Sequence, residues 1–251
     1  MKEMALTDHL TELRTRVIRV VLILFVAFGI CYHFGEQIQN ILLAPLREAL
    51  GSDGKVVFIG LLDKILAQFQ LSFWSAIIFS SPLWFTQIWL FIRPGLYDKE
   101  AKIIMPFLFF SFVLFWLGIC FGYFIVFPYT FETILNFGVQ GVEATMSLKD
   151  YIVLSSKVLV FLGLLFQLPN IMLILGFMGI VDSKKLSEIR PYVLTGFAFL
   201  SALMTPPDPI TMMALWIPLV ILYELGLLTV RFLADPFTKK KDSELQVNSE
   251  D

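Results

Sequence analysis

Two carboxylates stand at the edges of long apolar runs. Glu12 lies in His9-Leu-Thr-Glu-Leu-Arg-Thr-Arg16, and Glu100 closes the trio Asp98-Lys-Glu100. An ionised carboxylate accepts paired hydrogen bonds from a planar guanidinium, so two of them on helix ends would suit an arginine-bearing ligand. The same residues could instead form a solvated face with local ion pairs, such as Glu12 with Arg16 at i, i+4. Three further polar residues sit inside apolar sequence. Lys157 is about 10 Å along a helix from Asp150, close enough for its stem to snorkel outwards. Gln167 stands beside Pro169, where an amide can bond the carbonyls a proline leaves free or reach a neighbouring helix. Glu224 is the one acid deep in an apolar run. Such an acid faces a cavity or a partner, or stays protonated, unless a short helix brings it near the surface. No Gly-rich phosphate loop, zinc-ligand spacing or nucleophile motif accompanies these residues, so the sequence reads as no enzyme, with no catalytic residue, metal or cofactor. Cys31 and Cys120 fall in apolar runs and read as small packing residues.

What must position these groups is a membrane. Of 251 residues, 57% are hydrophobic and 16% charged, and the mean hydropathy is +0.79. A soluble chain has about 25% charged residues. The deficit is gathered into runs long enough to cross a bilayer, which predicts an all-α integral membrane protein. Six spans are expected: 17–34, 71–90 broken at Ser80-Ser81-Pro82, 103–126 with Pro128 just beyond its end, 151–177 interrupted at Gln167–Asn170, 192–204 and 210–233. The last two are short, Tyr192–Met204 being only about 20 Å at the helical rise against a hydrocarbon core of about 30 Å. They imply either a re-entrant hairpin or two crossings of a thinned bilayer, and the length of the return run favours the crossings.

Residues 1–16 are expected to form an amphipathic lead-in with Thr7 or Asp8 as N-cap. No cleavage site follows the first run, so it is expected to remain as a span. An interfacial helix is expected to end near Pro45, followed by a turn at Gly51–Gly54. A second segment between spans is helical from Thr130 to Asn136, and a basic turn covers 182–190. The spans make one domain, 17–233, and a disordered tail follows over 234–251.

Orientation follows from the basic residues. Fourteen of the 19 Lys and Arg lie before residue 20, in 91–102, in 182–190 or from Arg231 onward. The positive-inside rule then puts both termini in the cytoplasm. The island Phe91–Glu100, with its Pro94-Gly95 break, becomes a cytoplasmic loop, on the same side as Glu12.

In chain order, His9-Leu-x-Glu-Leu-Arg14, Ala44-Pro45-Leu46, Ser81-Pro-Leu83, Phe91-Ile-x-Pro94 with Leu96-Tyr97 and Glu100, Phe121-x-Tyr-Phe-x-Val-x-Pro128, Arg190-Pro-Tyr-Val193 and Thr205-Pro-Pro-Asp208 resemble the TatC family of the twin-arginine protein translocase. The resemblance extends from about residue 7 to 233. It implies a concave, glove-like six-helix bundle in the cell inner membrane. The implied function is a receptor for twin-arginine signal peptides on folded cargo, partnered by single-span TatB and TatA, other copies of itself and lipid, with no nucleic acid, and driven by the proton-motive force. By position, Glu12 and Glu100 match the acids that recognise the arginine pair. Arg14, Phe91 and Pro94 fall in the same signal-peptide site, and Pro45 and Asp208 match other sensitive positions. Gln167 and Glu224 become intramembrane polar contacts to partners. Gln167 departs from the family pattern, which usually has Glu there, so only a hydrogen-bonding role survives. Two rivals remain. A small-solute secondary transporter would show an internal repeat, and no convincing one is present. A scaffold without a ligand would tolerate changes at both acids.

Overall fold

The computed structural model describes residues 6–50, 55–92, 104–136, 145–204 and 209–236. Helices dominate. They are α1 (Leu6–His33), α2 (Gly35–Leu50), α3 (Asp63–Phe79), α4 (Ser81–Ile92), α5 (Ile104–Phe121), α6 (Phe127–Asn136), α7 (Leu148–Leu165), α8 (Leu168–Phe177), α9 (Ser183–Met204) and α10 (Pro209–Thr229). Two wide π-helical turns, Gly122–Val126 and Val230–Ala234, continue α5 and α10. Two three-residue strands, β1 (Lys55–Val57) and β2 (Thr145–Ser147), pair in parallel.

Four stretches are long and apolar enough to cross a membrane: Leu10–His33, Pro106–Thr133, Leu148–Phe177 and Pro209–Ala234. The pair α3–α4, bent by 56°, makes a fifth if taken as one span. The remaining expected span, 192–204, lies in α9, whose first turns carry Lys184, Lys185, Glu188 and Arg190. Length and composition therefore do not establish it as a crossing.

The breaks have local causes. At the α3–α4 bend the Ser80 hydroxyl donates to the Ala76 carbonyl at 2.6 Å, and the Trp84 indole N–H donates to Ile77 O at 2.8 Å. The indole thus gives Ile77 O a donor at the bend, whereas the Ser80 hydroxyl adds to the Ser80 N–H already on Ala76 O at 3.0 Å. Between α7 and α8, Pro169 lies in the first turn of the new helix, where its missing N–H costs nothing.

Several prolines expected to stop helices do not. α2 runs through Pro45, and helical structure runs through Pro128 from α5 into α6. Just before Pro128 the backbone widens, and Phe127 N–H reaches back five residues to Gly122 O. A wide turn there relieves the clash of the proline ring with the preceding turn. The basic segment 182–190 is not a turn but the start of α9. Asp182 caps it, accepting from Lys185 N–H at 2.7 Å on its side chain and from Leu186 N–H on its carbonyl at 3.1 Å.

The chain divides into two compact units, residues 1–163 and 164–251. In the first, α1 packs on α3 and α4, and α2 packs on α3 and α6. Its core centres on Phe115, fully buried against Trp84 and Phe85 at ring separations of 5.6 and 5.4 Å. Gly163 lets α7 approach this ring, because a Cβ there would lie 2.7 Å from it. In the second unit, α8 and α9 pack on α10, burying Leu186, Phe197, Leu215, Leu219 and Tyr223.

Candidate functional site

α1 is 28 residues long, about 42 Å, against a hydrocarbon core of about 30 Å. About 20 residues cross such a core, and counting back from His33 uses the chain up to Arg14. Glu12 and Arg14 therefore lie at the membrane edge without a loop to hold them there. The helix itself presents them.

Glu12 is half-buried because α4 packs beside it. Arg16 joins the two helices: its Nη2 donates to Glu12 Oε1 at 3.1 Å and its Nη1 to Gln87 Oε1 at 3.3 Å. The ion pair expected of a solvated face thus forms, but on a helix–helix seam, with the two side chains 19% and 23% exposed. Phe91 is one helical turn beyond Gln87 on α4. Arg14 points away and is exposed. Gln87 was not foreseen, since an amide in an apolar run gives no local sign of its partner. Glu100 and Pro94, which follow α4 in the chain, lie outside the described residues, as do Asp208, the expected turns at Gly51–Gly54 and Thr205–Asp208, and the tail from 237.

Pro45 acquires a structural role. A proline at 45 deprives the Ile41 carbonyl of its helical N–H. The Tyr123 hydroxyl donates to that oxygen at 2.7 Å, and the Tyr151 hydroxyl donates to the next, Leu42 O, at 2.6 Å. Two tyrosines from later helices thus latch α2 at its proline.

The second unit has its own polar contacts. Gln167 is buried and accepts from Asn170 Nδ2 at 3.3 Å. Glu224 meets Arg190 of α9, with Nε and Oε1 2.7 Å apart, in an ion contact rather than an aligned hydrogen bond. Tyr223 donates to Leu186 O at 2.7 Å and Trp216 to Leu194 O at 3.0 Å, which ties α10 to α9 along its length. The Arg190–Glu224 pairing was legible in principle: Arg190 lies fifteen residues before Thr205 and Glu224 fifteen after Pro209. Counting outward from the Pro-rich turn brings them level. At the charged end, the Ser183 amide and hydroxyl both donate to Asp235. Lys157 is exposed, as a snorkelling lysine would be. Cys31 is buried, whereas Cys120 is exposed and does not pack in the core.

Residues 8–218 match the family described as TatC, Sec-independent protein translocase protein. The chain is 39% identical over 238 residues to the Sec-independent protein translocase protein TatC of Desulforapulum autotrophicum, covering 95% of this chain and 87% of that one. It is 32% identical to the TatC protein of Escherichia coli K12 over 90% of this chain and 88% of that one. A crystal structure of a twin arginine translocase receptor, TatC, in DDM superposes with a TM-score of 0.80 at 28% identity, over 89% of this chain and 100% of that one.

Proposed function

This chain belongs to the TatC family of Sec-independent protein translocase proteins, and on that premise we propose that it is the receptor subunit that binds twin-arginine signal peptides. As a family member it is a multi-pass membrane component of the Tat translocase complex and works with partner proteins. In the proposed reading it lies in the cell inner membrane with both termini in the cytoplasm. It spans the membrane six times and hands folded cargo to TatA and TatB for export driven by the proton-motive force. The basic residues before residue 20 and after Arg231 support that orientation.

The observation that carries the reading is the Glu12–Arg16–Gln87 seam. It holds a carboxylate on two packed helices at the membrane edge, already engaged by a guanidinium. Arg16 therefore acts as a placeholder. An incoming signal-peptide arginine exchanges one guanidinium for another at Glu12, so the carboxylate is never desolvated without a cationic partner. A second arginine needs a second acid, and Glu100, nine residues after Phe91 in the chain, takes that part. Arg14, exposed two residues from Glu12, repels a misaligned cation and favours one register.

Site-specific photo-crosslinking from positions 12 and 100 to a twin-arginine peptide, with a twin-lysine control, tests the assignment. The control keeps the charge and loses the planar fork. Strong crosslinks from both positions that weaken with lysine are expected. Equal crosslinking of the two peptides would sink the guanidinium-specific site.

A further inference from the structure

Five residues join β1 to α3, and four of them are large and apolar. Phe58, Ile59, Leu61 and Leu62 are 48%, 77%, 99% and 60% exposed. Leu61 is the most exposed large apolar residue among the described ones. One exposed leucine needs no explanation, but four apolar side chains around one tip form a patch.

The tip is held in shape. Gly60 N–H donates to Asp63 Oδ2 at 2.6 Å, and Asp63 N–H donates back to Gly60 O at 3.2 Å. Leu62 O accepts from Leu66 N–H at 3.0 Å in the first turn of α3. Three backbone groups of the tip are thus matched internally, which lowers the cost of taking it out of water. The Asp63 carboxylate also meets Lys149 at the start of α7, with Oδ1 and Nζ 3.2 Å apart, and that side chain is only 15% exposed. The acid is turned inward while the leucines stand outward.

The height of the tip can be set against α1. Gln68 Nε2 donates to Tyr32 O at 3.3 Å, so Gln68 is about level with the end of the apolar stretch Leu10–His33. Asp63 precedes Gln68 by five residues, about 7.5 Å farther out along α3. The headgroup layer on each side of a bilayer is about 5–8 Å thick, so the tip stands at headgroup height. An apolar stripe joins it to the helix below. Leu62, Ile65, Phe69 and Phe73 recur every three or four residues and are 60%, 61%, 55% and 46% exposed. Together α3 and α4 are apolar enough to cross a membrane, and outward apolar side chains on such a helix face lipid. The lipid-facing surface therefore continues up α3 to the tip without a polar break. Lys64, exposed beside it, has the sign that suits lipid phosphate.

We propose that Ile59, Leu61 and Leu62 form an anchor that dips into the acyl boundary of the leaflet at which α3 and α7 begin. Its ligand is the lipid surface, and a side chain that stands clear of the protein suits a fluid better than a fitted partner. Asp63 is the positioning residue: it fixes the turn and, through Lys149, ties it to α7. The anchor lies at the far end of α1 from Glu12, about 30 Å along the helix, and does not depend on how signal peptides are recognised.

The test uses the full chain with Cys31→Ala and Cys120→Ala, reconstituted into vesicles of phosphatidylcholine and phosphatidylglycerol in equal parts. A nitroxide is attached in turn at Ile59→Cys and Leu61→Cys, at Phe73→Cys as the lipid-facing reference, and at Glu48→Cys as the water-facing one. Relaxation by dissolved oxygen is compared with relaxation by a water-soluble nickel chelate. The oxygen-to-nickel ratio at 59 and 61 is expected to lie within about twofold of that at 73 and about fivefold or more above that at 48. A ratio like that at 48 would leave the tip in water and overturn the proposal. Weak relaxation by both reagents would mean that a second copy or another polypeptide covers the tip, which also overturns it. Leu61→Asp with Leu62→Asp, read from a nitroxide at 59, should bring the ratio down to that at 48. A ratio that stays lipid-like in this variant would show that the leucines are not the anchor.

Discussion

Two carboxylates, each beside an arginine, are used in opposite ways in this molecule. Glu12 pairs with Arg16 of its own helix, and the pair rests on α4 through Gln87. Glu224 pairs with Arg190 of another helix, so its ion contact ties α9 to α10. Breaking the first leaves α1 intact, because an i, i+4 pair adds only about 0.2–0.5 kcal/mol to a helix. Breaking the second removes a link between elements and strands a charge in an apolar sequence. The lesson is that the carboxylate available to a ligand is the one whose own ion pair stays within a single helix.

The sharpest way to break the contrast is to remove each acid in turn. Glu12→Ala should lower crosslinking of a twin-arginine peptide at position 100 about tenfold or more, the loss of one charge-assisted bond of about 1.5–3 kcal/mol. Glu224→Ala should leave that yield within about twofold. A comparable loss from both substitutions would mean that Glu224 also serves the ligand. Double-mutant cycles on thermal unfolding then measure the two pairs directly. Arg190→Ala with Glu224→Ala should show a coupling of about 1 kcal/mol, and Arg16→Ala with Glu12→Ala about 0.5 kcal/mol or less. Reversed magnitudes would make Glu12 the structural acid. A hydrogen-bond deletion sits between these: Tyr123→Phe should cost about 0.5–1.5 kcal/mol, because it leaves the Ile41 carbonyl at Pro45 without a donor. The smallest effect expected is a gain. Arg16→Gln removes the placeholder and should tighten peptide binding about twofold, read by titration of a fluorescent twin-arginine peptide. A clear weakening would instead make Arg16 part of the site.

Much of the fold was legible because apolar runs must become spans. The described residues of the runs at 17–34, 71–90, 103–126 and 151–177 are nearly all helical, and the breaks at Ser80–Pro82 and Gln167–Asn170 appear where proline removes an N–H. Helix ends were less legible. Pro45 and Pro128 look like stops to a local reading, yet the chain absorbs them with tyrosine hydroxyls in one case and a π turn in the other. Both remedies come from outside the tetrapeptide that a stop signal describes. β1 and β2 gave no signal, since three residues are too few for an alternating pattern. At the site, the type and edge position of Glu12 could be read from its neighbours. Its contact through Arg16 to Gln87, 71 residues away from Arg16, belongs to packing alone.

The parallel pairing of β1 with β2 also sets an order of events during synthesis. Lys55 pairs with Thr145, ninety residues later in the chain. The latch at Pro45 waits as long, since its donors are Tyr123 and Tyr151. At a synthesis rate of about 5–20 residues per second, the first 57 residues spend roughly 5 to 20 s without these partners. Until Tyr123 and α6 have been made, α2 can be held only by its neighbours in sequence. Closure of the pair therefore reports that the chain has been made up to the edge of the fourth long apolar run. A chain truncated before residue 145 would leave β1 without its partner and α2 with one of its two latching tyrosines, Tyr123.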